Sequence, residues 1–254
     1  MKTREQVAEE IKSLIIKDRK IIAAWEGGSA ATGYLDEYSD LDLAIVCEDD
    51  HVEKVFKKLE KLIDEKYGIE RKYRVPEPAW HGFSQCFYKV GNVPELYYLD
   101  IAVIKKSLPD KFTERDRHGD SVVWFEKEKM IDPTPTPEKK VIEKGKKYFR
   151  YIADSDFLME IELKKAIARK NFTEAFPAYM RLISSNLGIL LNLKYRPCKV
   201  DFGLRYAYRD FPNKEVKLIE ESFKASSIEE IEAGSKKVMK RIEELKKELS
   251  KKWN

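Results

Sequence analysis

"GGSAATGYLDEYSDLDLAIV", residues 27–46, is the stretch on which the reading of this chain turns. It ends in an apolar run, "LDLAIVC", with the pattern of a buried strand, and Asp40 and Asp42 stand at its mouth. Side chains alternate along a strand, so Asp40 and Asp42 point one way while Leu41 and Leu43 point the other way, into a core. Two ionised carboxylates this close repel, and each raises the pKa of the other. A divalent cation removes that penalty, and Mg²⁺ favours one or two carboxylates together with substrate phosphates.

A third acid strengthens the case. Asp100 lies in "YYLDIAVI", a run otherwise too apolar to explain a charge, and its context repeats that of Asp42. If the two strands are neighbours, three carboxylates meet at one sheet edge. Upstream, Gly27 and Gly28 allow a tight turn whose N–H groups can meet phosphate oxygens. Ser29 adds a hydroxyl at the start of a short helix, whose N-terminus favours anions. The chain has neither GxxxxGK[ST] nor GxGxxG, so any phosphate site is of another type.

Working outward, 254 residues suffice for one or two domains. A content of 43% hydrophobic and 37% charged residues describes a globular, well-solvated chain rather than a disordered one. Its apolar runs fall short of the ~20 residues of a membrane span. The amphipathic start, "MKTREQVAEEIKSLIIKDRK", does not read as a signal peptide. Cys47, Cys86 and Cys198 are widely spaced, which argues against disulfides and zinc and makes a reducing cytoplasm the expectation.

Charge and composition both change near "DPTPTPEKK", residues 132–140, read as a Pro-rich linker. Residues 1–137 hold 22 Lys/Arg against 27 Asp/Glu, a net −5; residues 138–254 hold 27 against 18, a net +9. Before the linker, Val7, Ala8, Ile11, Leu14 and Ile15 predict an opening helix, and Val55, Phe56, Leu59, Leu62 and Ile63 another. "KIIAAWEGG", "LDLAIVC", "IERKYRV", "FSQCFYKV" and "ELYYLDIAVI" predict strands. After it helical patterning dominates, with Phe176, Tyr179, Met180, Ile183, Leu187, Leu190 and Leu191 on one stripe and a capped final helix from "SSIEE" onward. The expected fold class is α+β: residues 1–131 form a small mixed sheet with helices on one side, and residues 141–254 a helical bundle.

Gly28-Ser29, Asp40-x-Asp42 and the later Asp100, in that order and spacing, resemble the motif of the polymerase-β-like nucleotidyltransferase superfamily. "NLGILLNLKYRPCKVDFGLRYAYRDFP" is similar to the helical substrate domain of its antibiotic branch, which acts on aminoglycosides and lincosamides. The resemblance implies transfer of a nucleoside monophosphate, AMP by expectation, from ATP or another nucleoside triphosphate to a hydroxyl. It implies one or two Mg²⁺ ions held by Asp40, Asp42 and Asp100, with Asp100 as ligand or base, and Gly28 and Ser29 holding the triphosphate. A small-molecule acceptor is expected. The basic surplus of the second part disfavours a polycationic aminoglycoside and leaves nucleic acid or protein as the alternative acceptor, or a non-catalytic nucleotide-binding relative. His81 in "AWHGF" and His118 in "DRHGD" are loop histidines, a setting in which bases and phosphate ligands are uncommon. Tyr195, Arg196, Arg205, Tyr206 and Arg209 fit a structural role in the bundle better than nucleotide contact.

Overall fold

The computed structural model describes residues 2–254, and the chain divides into two compact units, Met1–Pro135 and Thr136–Asn254. In the first unit the order is α1 (Arg4–Ile15), β1 (Ile21–Glu26), α2 (Gly28–Thr32), β2 (Leu41–Cys47), α3 (Val52–Tyr67), β3 (Ile69–Arg74), β4 (Ser84–Val90), β5 (Tyr98–Lys105), α4 (Arg115–His118) and β6 (Val122–Glu126). The strands form one mixed sheet in the order β3-β4-β5-β2-β1-β6. Strands β2 and β5 pair in parallel, and the other pairs are antiparallel.

Alternation along the strands separates the faces. Leu41, Leu43, Ile45 and Cys47 of β2 and Leu99, Ile101 and Val103 of β5 join Val7, Ile11 and Ile15 of α1 and Val55, Phe56, Leu59 and Ile63 of α3 in one core. The helical spacing of those residues is what lays both helices on this face. On the other face a smaller cluster holds Trp25, Val46, Ile104 and Ile131. The sheet has one strand more than the sequence reading supplied. Val122–Glu126 adds to β1 at the edge; its five residues were too few to stand out without a partner.

Two carboxylates clamp the helical layer. Glu10 accepts from the Tyr67 hydroxyl at 2.5 Å and pairs with Lys2 and Lys66 at 3.0 Å each. The Tyr67 bond, then the lysines, hold the Glu10 carboxyl at about 2, against an ordinary 4.5. At Asp18 burial pushes the pKa up, but Lys58, the Lys20 N–H and His51 pull harder and lower it from 3.8 to about 2. Both values are depressed on folding, so the stability these groups contribute is complete above the unfolded values and disappears as pH falls through the folded ones. The melting temperature should therefore drop between about pH 4.5 and pH 2. Glu10→Gln should flatten that acid limb in a thermal-melt series; an unchanged limb would show that Glu10 is not a source of it.

The second unit comprises α5 (Glu138–Ala168), α6 (Phe172–Arg181), α7 (Gly188–Tyr195), α8 (Ala207–Asp210), α9 (Asn213–Phe223) and α10 (Ile228–Trp253). The stretch read as a linker is helical at its end, since Glu138 opens α5 after Pro137. The single long helix read through Phe176–Leu191 is α6 and α7 joined by a π-helical segment, Leu182–Leu187. Tyr179, Leu187, Leu190, Leu191 and Leu245 share one core with Phe149 and Ile152 of α5, and Trp253 of α10 packs on Gly145 of α5. Ser227 caps α10 by accepting from Glu230 N–H at 3.1 Å.

The Arg- and Tyr-rich connection is structural where its bonds are seen. Buried Arg196 donates to Asn192 Oδ1 at 2.6 Å, Asp210 Oδ2 at 2.6 Å and Gly203 O at 3.0 Å, and Tyr195 donates to Glu215 Oε1 at 3.1 Å. Among the described residues no helix is long and apolar enough to cross a membrane.

Candidate active site

The site lies on the sheet face turned away from α1 and α3. Strands β2 and β5 are neighbours, and their register sets Asp42 opposite Asp100. Adjacent strands run about 4.8 Å apart, so the two side chains rise side by side from one surface. Asp40 precedes β2 on the same face, one side-chain step along. Its backbone carbonyl accepts from Arg4 Nε at 3.0 Å, and Arg4 in turn pairs with buried Glu26 at 2.5 Å, tying the start of β2 to α1. Tyr98 precedes Asp100 by one side-chain step on the same strand: burial raises its phenol pKa, and a hydrogen bond to Asp40 and the charges of Asp40, Asp42 and Asp100 raise it further.

Among the described residues no group of three or more His, Cys, Asp and Glu is arranged to hold a metal ion. Two in-register carboxylates remain, and that is the number Mg²⁺ takes when substrate phosphates complete its shell.

The glycine turn is built against this pair. Gly28 has φ +51°, and a Cβ there would lie 1.7 Å from Asp42 Oδ2, so only glycine admits the carboxylate so close. The Gly27 N–H, expected to be open to phosphate, donates to Asp42 O at 2.9 Å instead. This bond locks the turn to the strand, so the Gly27 N–H is not free to meet a phosphate oxygen. Ser29 differs: its hydroxyl is buried without a hydrogen-bond partner. A buried hydroxyl left unpaired carries a desolvation cost of ~1–3 kcal/mol, which a phosphate oxygen would relieve. The turn is held from behind, where Asp120 N–H donates to Ala31 O at 2.8 Å and Gly119 packs on the same carbonyl.

His81 Nδ1 accepts from the Phe83 N–H at 3.0 Å, and His118 lies in α4 with its ring 5.6 Å from Phe112. Sequence reasoning passed over Gln85, whose Nε2 donates to Asp100 Oδ1 at 2.7 Å, and Tyr98. Both were within reach of the alternation rule. Tyr98 is two residues from Asp100, and Gln85 is a polar residue within the alternating "SQCFYKV".

The first unit is thus an α+β domain, a mixed sheet with helices on one face and paired acids beside a Gly-Ser turn on the other. Residues 4–88 match the family model described as "Nucleotidyltransferase domain". The match places a nucleotidyltransferase domain in the first unit. The match stops at Tyr88 in β4, before Asp100 and before the helical unit. No curated protein matches the chain. Among solved structures, an aminoglycoside 6-adenyltransferase from Bacillus subtilis aligns over 99% of this chain and 91% of its own, with 11% identity and a TM-score of 0.32. That likeness is too slight to bear on fold or function.

Proposed function

We propose that the protein transfers a nucleoside monophosphate, AMP from ATP in the first instance, to a hydroxyl of a small molecule in a Mg²⁺-dependent reaction. The observation that carries this is the in-register pair Asp42 and Asp100 beside a glycine that only an absent side chain permits. Asp42 and Asp100 hold the cation, with Asp40 beside them. The cation supplies charge neutralisation on the phosphates and aligns the in-line displacement. Ser29 donates its unpaired hydroxyl to a phosphate oxygen, and Gly28 keeps the backbone low enough for the triphosphate to reach Asp42. Asp100 is the candidate to accept the acceptor's proton where it is not committed to the cation. The first unit is the catalytic domain, and the helical unit takes the acceptor. The net +9 of residues 138–254 favours, as a second reading, an acceptor carried on RNA or an acidic protein surface.

Asp42→Ala should fold as the parent does, by circular dichroism and melting, and lose Mg²⁺-dependent ATP binding by about 10-fold or more in calorimetry. Asp40→Ala should act in the same direction. Equal binding by parent and Asp42→Ala protein would defeat the proposal. Labelled ATP offered with panels of hydroxylated small molecules, RNA and protein would then separate the two acceptor classes.

A further inference from the structure

We infer that an aromatic ledge on β4 and β3 is the catalytic unit's own share of the acceptor site, and that it takes a hydroxylated flat ring carrying an anionic group. The inference rests on the transferase reading just proposed, with Asp100 as the group that meets the acceptor. Register carries one row straight across the open face: Asp42 of β2 stands opposite Asp100 of β5, Asp100 opposite Phe87 of β4, and Phe87 opposite Tyr73 of β3. Strands about 4.8 Å apart put Phe87 one strand, and Tyr73 two strands, beyond Asp100. The Gly-Ser turn lies at the opposite end of the row, against Asp42. A triphosphate held by that turn leaves the Phe87 side of Asp100 to the second substrate.

The side chains of this row suit contact with a ring. Tyr73 and Phe87 have centroids 6.3 Å apart and planes 18° from parallel. Tyr98, one side-chain step before Asp100, joins them with its centroid 6.2 Å from that of Phe87. Cross-strand pairing accounts for the contact of Tyr73 with Phe87, which supports the sheet. It does not account for the exposure: Tyr73 is 58% and Tyr98 38% open to solvent, and the row ends on a carboxylate. One row along the same face, Lys89 stands opposite Tyr98 and Arg71 opposite Lys89, so two cations border the rings. Among the described residues neither is paired with a carboxylate, and Lys89 donates to the backbone carbonyl of Glu95 instead. With the acids committed to the cation and the phosphates, the charge left facing the ledge is positive. It opposes a polycationic acceptor and favours an anionic one, while the ring faces stack on a planar group. Nucleoside monophosphates and phenolic acids both have this chemistry. In the transfer the acceptor's hydroxyl oxygen bonds to the α-phosphorus, its proton passes to the ionised Asp100, and pyrophosphate leaves with the electron pair of the broken P–O bond.

The test uses the full chain saturated with Mg²⁺ and α,β-methylene ATP and titrated in a calorimeter with matched probes: uridine monophosphate against uridine, and para-hydroxyphenylacetate against tyramine. The anionic member of at least one pair should bind about 10-fold more tightly than its partner, and the pair that responds tells a nucleotide-like acceptor from a phenolic one. Tyr73→Ala should weaken that probe about 10-fold, the size expected of one lost stacking contact, with the affinity for α,β-methylene ATP unchanged. Phe87→Leu should act alike and serves if Tyr73→Ala folds poorly. Arg71→Gln/Lys89→Gln should remove the preference for the anion. Weaker binding of α,β-methylene ATP by the Tyr73 and Phe87 variants would put the donor's base on the ledge and overturn the inference. Tighter binding of the uncharged or cationic probes overturns it too, as does the absence of probe binding by a parent that binds the ATP analogue; these outcomes leave the proposed function standing. Failure of the parent to bind α,β-methylene ATP with Mg²⁺ overturns both.

Discussion

Gly28→Ala is expected to abolish nucleotidyl transfer almost as fully as loss of an acid, though it adds a single methyl group. The new Cβ would sit 1.7 Å from Asp42 Oδ2 and 2.4 Å from its Cγ, so the carboxylate must swing away or the turn must lift. Either displaces a cation ligand by an ångström or more, and such misplacement costs roughly 10²-fold in rate. The φ of +51° adds strain of about 1 kcal/mol that alanine feels and glycine does not. Gly33→Ala provides the control. Gly33 has φ +72° with nothing within 4 Å of an added Cβ, so it carries the same backbone strain without the collision. Single-turnover assays should find Gly28→Ala at least about 10²-fold slower and Gly33→Ala near the parent. Equal rates for the two would mean that Asp42 does not need its observed position.

The largest effect on stability is expected in the helical unit, at Arg241→Met. Glu215 is 2% exposed, and Arg241 grips it with two bonds, Nη2 to Oε1 at 2.7 Å and Nε to Oε2 at 3.1 Å. The Glu215 pair is the main cause that holds the Arg241 guanidinium above its ordinary pKa. Methionine replaces the packing of the arginine stem but leaves a carboxylate inside the unit with, among the described residues, only the Tyr195 hydroxyl as side-chain partner. A buried charge deprived of its counter-ion costs about 3–5 kcal/mol, whereas replacement of both partners by apolar residues is often close to neutral. Urea denaturation should therefore show a loss of that order for Arg241→Met and a much smaller one for Glu215→Leu/Arg241→Met. A single-variant loss below about 1 kcal/mol would show the pair to be solvated. The exposed pairs on α10, such as Lys236–Glu232, should by contrast be dispensable.

Several parts of the fold were legible in sequence because they are local. The helical spacing of Val55, Phe56, Leu59 and Ile63 and the alternation in "LDLAIVC" each follow from the geometry of one element. The motif Gly28-Ser29, Asp40 and Asp42 is local too. What escaped notice was either short or relational. β6 is five residues that become a strand only beside β1, and the π-helical turn at Leu182–Leu187 interrupts a stripe that periodicity alone draws as continuous. Gly27 illustrates the same limit: its flexibility was readable, but not that its N–H is taken by Asp42 O. Gln85 was visible as a residue, yet its bond to Asp100 joins side chains on two separate strands.

By itself the sequence determined which residues share a face: Asp40 with Asp42, opposite Leu41 and Leu43 beside them. That follows from the two-residue repeat of an extended chain and needs no partner strand. Only the tertiary structure decided that β2 and β5 pair in parallel and in the register that sets Asp42 against Asp100. Some fifty residues of intervening chain separate these strands, and burial of both apolar faces under α1 and α3 selects the pairing. A slip of one residue would turn Asp100 into the core and leave Asp42 without a companion.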